Sequence, residues 1–156
     1  MAKTAPIINS KSRHKSVLIG WREWISFPDN GNFSIKAKVD TGARTSAVHA
    51  THIQELVKND EKWVKFRLYQ SGKYLFVEIP IIEYRKITNS FGVSEQRPVI
   101  NIKIKLGKNS WKTEVTLARR SGMTYPMLIG RNSLKNNYLV HPHQSYLIGT
   151  PKNEKK

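Results

Sequence analysis

Phe33-Ser34-Ile35-Lys36-Ala37-Lys38-Val39 is an apolar, strand-forming run that ends on Asp40-Thr41-Gly42-Ala43. The run delivers one carboxylate into a Thr-Gly turn. Carboxylates activate water best as a close pair, because like charges at hydrogen-bonding range share one proton: one partner holds it while the other accepts one. Thr41 supplies a hydroxyl that bonds locally, and Gly42 has no Cβ, so a second backbone could approach it. Asp and Gly also open ordinary hairpins. Asp40, Thr41 and Gly42 are therefore candidate catalytic residues that need a second signal.

Outward from this turn the chain reads as short strands. Residues 17–25 are apolar and aromatic, and Pro28-Asp29-Asn30-Gly31 is a turn, since Pro sets φ and Asn-Gly accepts positive φ. Together they predict a hairpin feeding Asp40. Residues 43–50 are small or hydroxyl-bearing, as a crowded site requires, and residues 53–58 read as one or two helical turns. Residues 63–69 and 74–79 flank Gln70-Ser71-Gly72-Lys73 as a second hairpin, and residues 99–106 turn at Gly107 toward residues 111–117 as a third. Residues 84–97 are polar around Thr88-Asn89-Ser90-Phe91-Gly92, which suits either a surface loop or a hairpin that closes over substrate. Pro126-Met127-Leu128-Ile129-Gly130 is a short buried strand, residues 131–137 form the one helix candidate, and residues 138–140 and 146–148 are closing strands. Many short strands with one helix near the C-terminus predict an all-β closed barrel.

Composition narrows the partners. The 156 residues suit one domain: a basic arm at 1–16, a globule at 17–149 and a basic tail at 150–156. With no cysteine, disulfides and thiolate metal sites are excluded, and no apolar run is long enough to span a membrane. A soluble, cytoplasmic protein is expected. The net charge is +16, and the four positive charges of the arm and net two of the tail leave +10 on the globule. Such a field draws polyanions by steering and counterion release, whether nucleic acid, ribosome or acidic peptide, and it equally describes a solvated lysine surface.

Two separated motifs supply the second signal. Asp40-Thr41-Gly42-Ala43, then a glycine-bearing polar loop, then Met127-Leu128-Ile129-Gly130-Arg131-Asn132 leading into a helix, stand in the order and spacing of retropepsins, the aspartic peptidases of retroviral type. More closely, residues 38–50, KVDTGARTSAVHA, resemble the bacterial retropepsin-like family once labelled putative ATP-dependent zinc proteases, some of them associated with the ribosomal-protein glutamate ligase RimK. The resemblance covers residues 17–149. It implies an aspartic endopeptidase in a retropepsin-like barrel, with Gly130 passing beside the catalytic turn and a flap formed by Asn89, Ser90, Phe91 and Gly92. Ala43, Arg44 and Arg131 would join the flap in contacting substrate.

The chain holds no second Asp-Thr-Gly: its other aspartates are Asp29, in the Pro-Asp-Asn-Gly turn, and Asp60, in Lys58-Asn59-Asp60-Glu61. Aspartic chemistry would therefore require a homodimer to which each chain lends Asp40, with Thr41 keeping the two turns in register. Viral retropepsins usually read Asp-Thr-Gly-Ala-Asp, the second Asp meeting the Arg of Gly-Arg-Asn; here that position is Arg44. Either another acid such as Glu83 or Glu95 serves Arg131, or Arg44 faces the cleft and selects glutamate-rich peptide with its fork of donors.

No cofactor is expected. His49 and His52, and His141 and His143, are close in sequence, but His-Glu-x-x-His and a phosphate-binding Gly-x-x-x-x-Gly-Lys-Ser/Thr are both absent. The alternative function is a non-catalytic basic β-barrel that binds RNA or the ribosome, with Trp21, Trp24, Trp63 and Trp111 as stacking surfaces.

Overall fold

The computed structural model describes residues 16–119, 124–135 and 137–150; the arm expected up to residue 16 and the tail expected from residue 150 lie almost wholly outside them. Among these residues, twelve strands and one short α-helix follow in order: β1 (Val17–Gly20), β2 (Arg22–Phe27), β3 (Phe33–Asp40), β4 (Ser46–His49), β5 (Thr51–Lys58), β6 (Glu61–Gln70), β7 (Lys73–Pro80), β8 (Glu83–Thr88), β9 (Ser94–Leu106), β10 (Asn109–Ala118), β11 (Met127–Gly130), α1 (Arg131–Leu134) and β12 (Tyr138–His141), with a single 3-10 turn at Pro28–Asn30 between β2 and β3. The all-β class expected from the alternating pattern is what the chain adopts.

Six of these strands close on themselves. The pairing order β10-β4-β11-β3-β2-β9 returns to β10, with β8 hung on the outer edge of β9. Period-two alternation aims one face of each strand inward. Ile25 and Phe27 of β2, Ile35, Ala37 and Val39 of β3, and Ile100, Ile102, Ile104 and Leu106 of β9 thus share one core with Met127 and Ile129 of β11. Each large aliphatic side chain so buried contributes about 1.5–3 kcal/mol. A separate antiparallel sheet, β5-β6-β7, packs Val64, Phe66, Leu68 and Val77 against the same core, while β1 and β12 run parallel as a two-stranded pair. No helix among the described residues is long and apolar enough to cross a membrane.

Four local expectations change. Residues 53–58 are not helical but belong to the edge strand β5. The reason is the turn that follows: Asn59 and Asp60 adopt φ of 50° and 65°, the tight hairpin geometry that sets Leu56 against Trp63 and Lys58 against Glu61. A bulge between Thr51 and Gln54 and a largely exposed strand hid the alternation. Residues 17–25, expected as one strand, break at Trp21, whose N–H donates to Gln144 O at 2.9 Å and whose carbonyl accepts from Val39 N–H at 2.8 Å. The helix spans four residues and ends where Lys135 turns to φ 54°.

Residues 146–148, expected as a closing strand, form no ladder. The fully buried Glu23 carboxylate takes the amides of Leu147 at 2.9 Å and Ile148 at 3.5 Å, as well as that of Gly20 at 2.6 Å. A buried charge must be hydrogen-bonded, and these donors are what the last segment offers.

Candidate active site

β3 carries Asp40 out of the core at its last position, between the buried Val39 and the exposed Thr41 and Gly42. The turn is held by its own backbone: Ala43 N–H donates to Asp40 O at 3.1 Å, and Gly42 N–H donates to Asp40 Oδ1 at 3.1 Å. That bond orients the carboxylate, and Asp40 is half-buried. β11 lies parallel to β3 with Gly130 in register with Asp40, and antiparallel to β4 on its other side. A Cβ on Gly130 would stand 2.5 Å from the carbonyl carbon of Thr45, so only glycine lets this strand pass beneath the loop.

The start of α1 is stitched to the same loop. Arg131 N–H donates to Ala43 O at 2.9 Å and Asn132 N–H to Arg44 O at 3.0 Å. The Arg131 guanidinium donates through Nη1 to the carbonyls of Thr41 at 3.3 Å and Gly42 at 3.1 Å. This answers the question left by Arg44. Glu83 and Glu95 do not serve Arg131, for they pair with Arg85 and Arg97, their neighbours two residues along the same hairpin. The turn's own carbonyls replace the missing acid, and Arg44 is exposed with no acid partner among the described residues.

Beneath the loop runs a hydroxyl chain that motif reading passed over. Buried Ser46 Oγ accepts from Gly130 N–H at 3.0 Å and bonds Ser133 Oγ at 2.6 Å, which bonds Thr113 Oγ1 at 2.7 Å. Trp111 Nε1 closes the group by donating to Ser133 O at 3.1 Å. The chain ties β4, β10, β11 and α1 at one point below Asp40. Its only sequence signal is the run of small and hydroxyl residues after the turn. Ser46→Ala should lower stability by about 1–3 kcal/mol, because a buried amide and a buried hydroxyl each lose a partner. In a denaturant titration the midpoint should fall with an unchanged slope; a change under about 0.5 kcal/mol, the usual scale of surface substitutions, would show that the chain carries no load.

Asn89, Ser90, Phe91 and Gly92 form the tip of the hairpin β8–β9, so residues 84–97 are a hairpin rather than a plain loop. Asn89 Oδ1 accepts from the amides of Phe91 at 2.9 Å and Val93 at 3.0 Å, and Gly92 turns at φ 83°. Phe91 is 89% exposed at the tip. Asn89 thus bonds Phe91, Gly92 and Val93 within the tip, and no hydrogen bond joins the tip to the Asp40 loop among the described residues. At the base of the hairpin, Tyr84 donates to Glu55 at 2.5 Å; burial first, and then that bond, push its hydroxyl up to about 12.

No group of three or more His, Cys, Asp or Glu side chains is gathered among the described residues, His52 Nδ1 bonds Thr51 Oγ1, and His141 Nδ1 accepts from His143 N–H. The tryptophans are mostly occupied too: Trp21 packs on Tyr125, Trp24 on Tyr146, and Trp111 on Tyr138.

The family described as RimB-like, retropepsin-like aspartic endopeptidase RimB, matches residues 18–151. Among curated proteins, a probable alpha-L-glutamate ligase of Shewanella pealeana is 42% identical over 136 residues, 85% of this chain and 30% of that protein. One of the same description from Parasynechococcus marenigrum is 36% identical over 139 residues, 86% of this chain and again 30% of its own length. The chain thus spans under a third of the relatives it matches. Among solved structures, the crystal structure of a Legionella pneumophila protein of unknown function is similar with a TM-score of 0.73 at 27% identity, covering 86% of this chain and 99% of that one.

Proposed function

Because the chain belongs to the RimB-like family of retropepsin-like aspartic endopeptidases, we propose that it hydrolyses peptide bonds as a homodimer, each subunit lending one Asp40. The observation that carries this reading is the presentation of Asp40: a carboxylate at a strand end, on an exposed Thr-Gly turn, tethered by one amide and buttressed from below by Gly130 and Arg131. The other two aspartates sit in hairpin turns, Asp29 in the Pro28–Asn30 turn and Asp60 between β5 and β6, so no twin is available within the chain.

In the dimer one Asp40 is ionised and the other protonated. The carboxylate takes a proton from water as the water oxygen bonds to the peptide carbonyl carbon, and the carboxylic acid gives its proton to the carbonyl oxygen. When the tetrahedral intermediate collapses, a proton passes to the leaving nitrogen, the C–N bond breaks, and the shared-proton state returns. Thr41 and Gly42, at the exposed crest of the turn, meet their counterparts across the two-fold axis. Phe91 and its neighbours cover the substrate from the hairpin tip.

The substrate is a glutamate-rich peptide. Arg131 is spent on the turn carbonyls, while Arg44, exposed on the same loop, has no acid partner among the described residues. Its guanidinium fork suits a side-chain carboxylate, and the +16 net charge steers acidic chains toward it. Rates on a glutamyl peptide and a neutral peptide of equal length, measured across protein concentration and salt with light scattering alongside, test both parts. Specific activity should climb with the dimer fraction, and the glutamyl preference should shrink as salt rises. Full activity from monomer alone would overturn the shared site; equal rates on the two peptides at low salt would overturn the glutamate preference.

A further inference from the structure

The sheet β5-β6-β7 pairs with none of the strands that close around the core, and the proposed hydrolysis uses none of its residues. Its inner face is spent on the core through Val64, Phe66, Leu68 and Val77. Residues opposite one another in an antiparallel pair point to the same side. The outer face is therefore set by the pairs Trp63 with Pro80, Lys65 with Glu78, Arg67 with Phe76 and Tyr69 with Tyr74.

Three of its aromatic rings stand in a row. Tyr69 and Tyr74 have centroids 5.6 Å apart, and Phe76 meets Tyr74 edge-on at 5.7 Å. Tyr74 is 50% and Phe76 45% exposed. Cations are interleaved with them: the Arg67 guanidinium lies 4.5 Å from the Tyr74 ring and 4.8 Å from that of Phe76, Lys65 Nζ is 5.3 Å from Phe76, and Lys58 Nζ is 4.3 Å from Trp63. Glu78, the acid in the middle of this face, is taken by Lys58. Among the described residues, the buried side-chain donors left without an acceptor, Trp63 Nε1 and Arg67 Nε, both belong to this one face.

We propose that the outer face of β6 and β7 binds an unpaired nucleic-acid strand. Bases stack on Tyr69, Tyr74, Phe76 and the plane of Arg67, and the phosphates follow Lys65 and the surrounding positive field. Half-exposed aromatic rings alternating with cations are the surface that a single strand uses, because every base has a π-face and every nucleotide a charge. A duplex keeps its bases stacked inside and offers these rings nothing. A glutamate-rich chain would satisfy the cations but leave the rings without a partner, so charge and aromaticity together favour nucleic acid.

The test is the anisotropy of a fluorescein-labelled 12-nucleotide oligoadenylate, as RNA and as DNA, titrated with the intact protein from 50 to 300 mM salt. The controls are the same strand annealed to its complement and poly-L-glutamate as competitor. The single strand should bind more tightly than the duplex, and Tyr74→Leu and Phe76→Leu, which keep apolar bulk, should each weaken it by about tenfold. Both variants should retain wild-type peptide hydrolysis, which separates this site from the Asp40 site. Lys65→Gln leaves the rings in place and should reduce the salt slope by about one, so the proposal remains testable even if a ring variant folds poorly. Unchanged affinity in natively folded ring variants, with an unchanged slope in Lys65→Gln, would overturn it as diffuse charge attraction. Equal displacement by poly-L-glutamate with loss of both ligands in the ring variants would overturn it in favour of an acidic-protein dock, and absence of binding at 50 mM salt would overturn it outright.

Discussion

Asp40→Asn is expected to lower kcat/KM for peptide hydrolysis by about 10²- to 10⁴-fold, the share that positioned acid–base groups supply. Asn can neither accept a proton from water nor hold the one that two carboxylates share. The fold should survive the change, because the side chain is half-buried and its hydrogen bond from Gly42 N–H is accepted equally well by an amide oxygen. The more discriminating measurement mixes chains. If every site draws one Asp40 from each subunit, equal amounts of native and variant protein, exchanged to equilibrium, leave native–native pairs as about a quarter of all dimers. Activity per total protein should then fall to about a quarter, whereas a site complete within one chain would retain half.

Gly130→Ala is expected to destabilise the fold by about 3 kcal/mol, the upper end for overpacking a core, and so to lower Tm by roughly 10 °C for a domain of this size. The cause is not backbone strain, since Gly130 has φ −84° and ψ 166°, which any residue adopts. It is space: the added methyl would meet the Thr45 backbone at 2.5 Å from C, 2.6 Å from O and 2.9 Å from N. β11 cannot move away, because β3 holds one edge and β4 the other. Any relief must come from the loop carrying Asp40, so activity should fall in the fraction that still folds. A Tm within about 2 °C of the native value would show that the loop yields freely.

How legible the site was depended on how local its chemistry is. The Asp-Thr-Gly turn, the Gly-Arg-Asn run and the hairpins at 28–31, 70–73 and 107–110 are each a few consecutive residues whose types set φ, supply a turn hydrogen bond or remove a Cβ. Strand β5 was misread because its bulge and exposed side chains erase period-two alternation, leaving Asn59-Asp60 as the whole signal. Residues 146–148 were misread for the opposite reason. Their apolar pattern suits a strand, but Glu23, more than 120 positions earlier, captures the amides of Leu147 and Ile148, and the Arg22 carbonyl takes that of Tyr146.

The amino-acid order by itself determined the all-β class, the strand that ends on Asp40, the lack of a second Asp-Thr-Gly and the cationic excess. All of these follow from residue type, periodicity and count. Only the tertiary structure decided that Arg131 grips the turn's carbonyls, that Ser46, Ser133 and Thr113 brace it from below, and that the β6–β7 face gathers aromatic rings and cations on one side. The braces below Asp40 join residues up to 90 positions apart, and the face depends on strand register. No period or motif encodes such meetings; they exist once the core has closed.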